Sequence, residues 1–225
     1  MGPMENPEDL ELSPLIIDGP PWEKKHELGF FVAFIETIKA FLMKPASAFS
    51  VMRRNAGIGD ALVYAVAIQV FTFLWTFAIT DSNPEMLLPQ DPEIRSMLDL
   101  PDNIGQIMIL LYPVSVMMLQ LLSAFAVHLT LKWRGLQDHN FQLIFRIFAY
   151  SSGTAALLLL IPVLGGILSL FMTIYLAYIG LRTIYAMDVG SFVITAIMGV
   201  FITLGLYILV VLGVTLLLLF LSLLI

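Results

Sequence analysis

The fold of this chain is decided by residues 146–188, RIFAYSSGTAALLLLIPVLGGILSLFMTIYLAYIGLRTIYAMD. No residue between Arg146 and Arg182 is charged, and the apolar run turns at the sequence Pro-Val-Leu-Gly-Gly. Because about 20 helical residues cross a hydrocarbon core of ~30 Å, each half is long enough to span a bilayer. The stretch therefore predicts two membrane helices joined by a tight hairpin. The predicted turn residues are Pro162, Gly165 and Gly166.

The composition of the whole chain indicates the same class of protein. Of its 225 residues 59% are hydrophobic and only 12% are charged, with a mean hydropathy of +0.93. Soluble domains are about 25% charged. The predicted fold class is all-α: a polytopic transmembrane helical bundle of five spans, preceded by amphipathic interfacial helices. The absence of cysteine excludes disulfides, thiolate metal sites and cysteine nucleophiles.

Five spans are predicted within the transmembrane domain 61–225. A proline, Pro113, lies inside the second and should bend it. The fifth stretch has 37 uncharged residues from Val189 onward, roughly 55 Å as one helix, so it must tilt, project or break near Gly199 or Gly205. The predicted spans are 61–80, 104–131, 146–162, 165–187 and 190–225.

The first 54 residues are predicted to stay outside the bilayer core. Residues 1–28 are proline-bearing and acidic, which indicates a flexible acidic cytoplasmic tail, with Trp22 near its end in the headgroup region. Residues 29–54 form two short amphipathic helices, the second beginning at Pro45. They are too short to span, so we expect them to lie in the membrane interface.

The basic residues predict the orientation. With the N-terminus inside, the inner segments hold ten of the eleven Lys and Arg residues, and the loop 81–103 holds only Arg95. This asymmetry predicts a cytoplasmic N-terminus and an outside C-terminus. The candidate contacts to lipid headgroups are Lys44, Arg53, Arg54 and Arg182.

A few polar residues are predicted to lie at depth in the bundle. Their usual use is to form hydrogen bonds between helices, and the alternative is a narrow polar path through the bundle. One of them, His128, has no second histidine or carboxylate at helical spacing, which disfavours a metal site. These candidate intramembrane contacts are Gln69, Gln120, His128, Tyr150 and Tyr178.

Signatures of enzymes are missing from the sequence. It contains no His-Glu-x-x-His, no Gly-x-Ser-x-Gly, no phosphate-binding glycine loop and no pair of aspartates within the spans. We therefore predict no catalytic, cofactor-binding or metal-binding residues and no nucleic-acid partner.

Short motifs in a fixed order resemble the Yip (Ypt-interacting protein) domain family, especially its prokaryotic members. The resemblance covers residues 22–203. The matching residues are Pro21-Trp22-Glu23, Thr37, Lys44-Pro45-Ala46, Phe49, Phe145-Arg146, Ala149-Tyr150-Ser151, the turn Ile161-Pro162-Val163-Leu164-Gly165, and Gly180-Leu181.

Membership would imply a five-span protein with a cytoplasmic N-terminus, and the likeness to prokaryotic members implies a bacterial inner (plasma) membrane. Eukaryotic relatives associate with prenylated Rab-type GTPases, but this chain lacks their Asp-Leu-Tyr-Gly-Pro motif, so GTPase binding is not carried over. The expected partners are membrane lipids and either other membrane proteins or further copies of the chain. Two functions stay open: a membrane-organising, adaptor or scaffold protein, or a small transporter or channel.

Overall fold

The computed structural model describes residues 18–79, 93, 104–135 and 140–222, and all regular structure in these residues is helical. Five of the helices are long and apolar enough to cross a membrane. The predicted five-span, all-α fold is confirmed. The predicted acidic loop 81–103, apart from Glu93, and residues 1–17 of the predicted tail lie outside the described residues.

Three short helices precede the spans. After a 3₁₀ turn at Pro21–Lys24 come α1 (Lys25–Leu28), α2 (Phe30–Met43) and α3 (Pro45–Ser50). Proline is the first residue of α3, where its missing N–H has no intrahelical partner to lose. The assignment of residues 1–28 to a loose tail is wrong for residues 18–28, because their helical turns pack against the rest of the protein.

The five candidate spans follow in sequence. They are α4 (Gly59–Ile79), α5 (Ile104–Trp133), α6 (Phe141–Ala156, continued by a 3₁₀ turn at Leu157–Leu160), α7 (Gly165–Tyr185) and α8 (Val189–Ser222).

The third span begins five residues earlier than predicted. The Asn140 side chain accepts a hydrogen bond of 2.9 Å from the backbone N–H of Gln142, so it caps α6 one residue before Phe141. A charged residue at the edge of an apolar run resembles a helix end, which is why the sequence placed the start at Arg146. That arginine instead lies inside the helix.

A very short turn connects α6 to α7. The N–H of Leu164 donates to the carbonyl of Pro162 at 2.7 Å, and Val163 has a φ of 66° and is 96% exposed. A side chain at Gly165 would run into the backbone oxygen of Leu158, so only glycine allows this close return. Pro162 lies in the turn, while Gly165 and Gly166 open α7.

The fifth apolar stretch is one continuous helix. It passes through Gly199, which packs against Val127, and through Gly205, which faces open space. Its 34 residues still exceed a ~30 Å core, so tilt or projection remains the expectation. The α5 helix likewise continues through Pro113.

The α6 helix occupies the centre of the bundle. It packs against α4, α5 and α7, whereas α8 packs mainly against α5. A side chain added at Gly153 of α6 would come within 2.8 Å of the Ala65 Cα atom, so the α4 and α6 backbones approach closely there.

Candidate functional site

The most unusual feature of the described residues is a fully buried arginine in the second turn of α6. The guanidinium of Arg146 is 0% exposed and donates to the Oε1 atom of Glu23 and to the backbone carbonyl of Arg53. One turn further along the helix, the Tyr150 hydroxyl donates to the same Glu23 oxygen at 3.0 Å. We refer to Glu23, Arg146 and Tyr150 as the Arg146 cluster.

The cluster joins parts of the chain that are far apart in sequence. Glu23 belongs to the 3₁₀ turn before α1 and its side chain is only 5% exposed. Two charges taken out of water are tolerated when they pair closely and when further hydrogen bonds satisfy them. The buried pair therefore fixes the N-terminal segment against α6.

The residue before Glu23, Trp22, is also buried. Its backbone N–H donates to Thr37 Oγ1 and its ring N–H to the Asp60 carbonyl, both at 2.7 Å. The ring meets Phe30 edge to face at 5.0 Å between centroids. The side chain of Trp22 is 0% exposed, and both of its N–H groups have partners within the protein.

Aromatic rings pack around Tyr150. Its ring stacks on Phe41 of α2 at 4.9 Å and lies 5.2 Å from that of Tyr64. The Tyr64 hydroxyl in turn forms a hydrogen bond of 2.9 Å with the Thr154 hydroxyl. These contacts exclude water from the cluster and join α2, α4 and α6 to it.

Ion pairs surround the same segment at its surface. We define residues 18–25 as the strap. Asp18 pairs with Lys24 and, at 3.1 Å, with Arg53, while Lys25 pairs with Asp60. The hydrogen bond from Lys24, reinforced by Arg53, holds the pKa of Asp18 below its usual value. Exposed pairs of this kind contribute little each, so they orient the strap more than they hold it.

A second polar cluster lies deeper in the bundle. The side-chain amides of Gln69 and Gln120 both donate to Ser152 Oγ, at 3.4 and 3.1 Å. Gln120 is 8% exposed, and its Oε1 atom has no partner among the described residues. Two of the predicted polar residues therefore meet at α6, and we refer to them with Ser152 as the Ser152 cluster.

The other predicted polar residues lie elsewhere. Tyr150 belongs to the Arg146 cluster, and Tyr178 packs edge to face on Phe192 at 5.1 Å. His128 lies edge to face with Phe141 at 6.0 Å. In the part of the chain that the structure describes, no three His, Asp or Glu side chains are grouped as a metal site would require.

The predicted lipid contacts are exposed and differ in their partners. Arg53 pairs with Asp18, and Arg182 donates to the Tyr178 hydroxyl at 3.3 Å. The backbone carbonyl of Arg54 accepts from Asn140, and Lys44 ends α2.

A further arginine, for which no role is predicted, joins α5 to α8. Arg134 donates to the Ser191 carbonyl at 2.8 Å and to Thr195 Oγ1 at 2.9 Å. Asp188 accepts from the Ser191 N–H at 3.0 Å, and this hydrogen bond lowers the pKa of Asp188. The Arg134 contacts hold the start of α8 against the end of α5, and Asp188 caps α8 itself.

Sequence reasoning missed the Arg146 cluster because its members look like separate features. Glu23 was one acid among many in a proline-bearing segment, and Arg146 looked like a span end. The available signal was the Pro21-Trp22-Glu23 motif, which places an aromatic and a carboxylate together, apart from the other acids. Their pairing across 123 positions is a tertiary contact that periodicity does not reveal.

Among the models of known families, that of the Yip1 domain matches residues 39–214 of the chain. No curated protein and no solved structure matches it.

Proposed function

Because the chain belongs to the Yip1 domain family and is an integral membrane protein, we propose that it has a non-enzymatic, membrane-organising or adaptor role, exerted through α2 at the inner leaflet. The Yip1 family is not a family of enzymes. The observation that carries the proposal is the two-sided character of α2.

One side of α2 is fixed to the bundle, and the other is exposed and mostly apolar, with the Glu36–Lys39 ion pair among its residues. Ala33, Thr37 and Phe41 are buried against the protein. On the opposite side Phe31 is 77% and Met43 78% exposed. A short helix with such a face inserts shallowly at the boundary between headgroups and acyl chains, where it displaces lipid in one leaflet.

The arrangement of the basic residues supports a cytoplasmic position for this helix. The Arg146 cluster, the Arg53 ion pair and the Arg134 hydrogen bonds all lie where α4, α6 and α8 begin and α5 ends. Gathering of Lys and Arg at one end favours that end as the inner side. We therefore propose a cytoplasmic N-terminus and an outside C-terminus, in a bacterial inner membrane.

The test compares two double variants of the full chain in liposomes. Phe31→Ser with Met43→Ser removes the two most exposed apolar side chains of α2. Glu36→Gln with Lys39→Gln, a matched control, alters exposed polar positions of the same helix. We expect the wild type and the control to change vesicle diameter in electron cryomicroscopy, and the apolar variant to leave it as in empty vesicles. An apolar variant that folds and reshapes vesicles like the wild type would contradict the proposal.

The Ser152 cluster supports a second candidate, a small transporter or channel. Two side-chain amides meet at one hydroxyl inside an apolar bundle. Polar groups inside a membrane bundle often line the pathway of an ion or a solute. Proteoliposomes loaded with a pH-sensitive dye would report proton flux, and light scattering would report flux of small neutral solutes. Flux that Gln120→Leu abolishes would favour this candidate, and the absence of flux would leave the Ser152 cluster as a contact between helices.

A further inference from the structure

We propose that the pocket around Arg146 is an exchangeable site for the phosphate of an anionic phospholipid, which Glu23 occupies while the strap is docked. This site is distinct from the exposed face of α2 on which the proposed function depends.

The donors around Glu23 suit an anion with more oxygens than a carboxylate uses here. Arg146 and Tyr150 both donate to a single Glu23 oxygen, Oε1. The Nε atom of Arg146 is buried and has no partner among the described residues. A planar guanidinium fork binds carboxylate and phosphate by the same geometry, and phosphate offers oxygens for the remaining donor.

The present occupant, Glu23, lies on a segment whose surface ion pairs are weak, so its release has to overcome mainly the buried contacts of Trp22 and of Glu23 itself. The side chains of Asp18, Lys24 and Lys25, which orient the strap, are between 20% and 40% exposed. Ion pairs at this exposure are weak and are screened by salt. By contrast, Arg146 belongs to α6 and stays in place.

The strap cannot leave the arginine without a replacement. A buried guanidinium without a counterion is strongly unfavourable, so departure of Glu23 requires another anion in the pocket. Arg146 lies in the second turn of a candidate span, beside α2 and close to the end of the span that is expected to meet the headgroups. Basic pockets between membrane helices on the cytoplasmic side bind phospholipid headgroups.

The test uses full-length Glu23→Gln protein, which keeps the shape of the side chain but removes its charge. The variant and the wild type are placed in nanodiscs of phosphatidylcholine alone, or with added phosphatidylglycerol, and thermal unfolding is followed. We expect phosphatidylglycerol to raise the Tm of Glu23→Gln by about 4 °C or more, and that of the wild type by much less. Glu23→Gln with Arg146→Met, the control, should show no such gain.

The remaining arms decide the source of the phosphate. Inorganic phosphate, added to phosphatidylcholine discs at matched ionic strength, should leave Glu23→Gln unchanged; a rise equal to that with phosphatidylglycerol would overturn the lipid as the ligand. An equal effect of phosphatidylglycerol on the wild type, the variant and the double variant would overturn the site itself.

A second measurement covers the case in which Glu23→Gln does not fold. In the wild type, phosphatidylglycerol should displace the strap and increase tryptic cleavage after Lys24 and Lys25 several-fold. The matched site is Lys132, an exposed basic residue outside the strap, where cleavage should not change. Equal cleavage of the strap in the two lipids would overturn the proposal.

Discussion

The α6 and α8 helices both cross the bilayer, yet they use their residues in opposite ways. Of the apolar window of α6, 67% is buried inside the protein, whereas only 6% of that of α8 is buried. The α8 helix is nevertheless the more apolar of the two. In this bundle the most hydrophobic helix is the one least involved in packing.

The physical reason for this difference in burial is that the solvent around the helices is lipid and not water. Lipid chains are as apolar as leucine, so apolar residues gain nothing from leaving lipid for the protein interior. The α6 helix is buried because it contains what lipid does not accommodate: a charged Arg146, the hydroxyls of Tyr150 and Ser152, and the small Gly153 that allows close approach. In α8, by contrast, side chains such as Val200 and Phe201 are largely exposed.

The largest effect is expected when the buried ion pair between Arg146 of α6 and Glu23 is broken. Arg146→Met leaves the Glu23 carboxylate buried without its countercharge, which should lower the free energy of unfolding by about 3–5 kcal/mol. Arg182→Met, at an exposed arginine of α7, is the control and should change it by less than about 0.5 kcal/mol. Thermal unfolding in detergent measures both. Equal losses would mean that Arg146 is not held as a buried ion.

The next effect compares two glycines directly. Gly153→Ala in α6 would bring a methyl group against the Ala65 backbone and should destabilise the protein by about 1–3 kcal/mol. Gly205→Ala in α8 meets no neighbour and should be neutral or stabilising by up to about 1 kcal/mol. Unfolding midpoints of the two variants test the contrast. A neutral Gly153→Ala would contradict the close approach of α4 and α6.

A smaller effect concerns one hydrogen bond at the centre of the bundle. Tyr64→Phe removes the contact to the Thr154 hydroxyl and should cost about 0.6 kcal/mol, the average for hydrogen bonds between membrane helices. Tyr207→Phe in the exposed α8 is the matched change and should have no measurable effect. Urea or detergent unfolding curves distinguish the two, and a larger loss at Tyr207 would reverse the comparison.

The smallest effect is a dependence of strap docking on pH. Because the folded pKa of Asp18 is lowered by Lys24 and then Arg53, its contribution is fully present above the unfolded value of 3.8 and is lost as the pH falls through the lower, folded value. Trp22 fluorescence in a Trp75→Phe, Trp133→Phe background should shift in that acid range. Asp18→Asn should remove the shift, while Asp188→Asn at the start of α8 should keep it.

The sequence predicted the parts of the fold that depend on length and apolarity. The five spans and the turn at residues 161–164 follow from uninterrupted apolar runs, which only lipid or a large core accommodates. The start of α6 was wrong because the local pattern ends at Arg146, whereas the helix depends on the Asn140 cap and on a distant carboxylate.

The candidate site was only partly visible in the sequence. Gln69 and Gln120 were recognised as polar residues at depth, but their meeting at Ser152 depends on how α4 and α5 are placed around α6. Trp22 was assigned to the membrane surface from its residue type alone. Its two N–H partners, at Thr37 and Asp60, are contacts that only the tertiary structure provides.

The hairpin between α6 and α7 also bears on how the chain enters the membrane during synthesis. From residue 147 to residue 181 nothing charged has to be carried across the lipid, and the turn itself is apolar. The two helices can therefore insert together as one unit, tip first, at little electrostatic cost. In the proposed orientation, Arg146 and Arg182 stay behind on the cytoplasmic side, where the chain is synthesised, and they favour this direction of insertion for the pair.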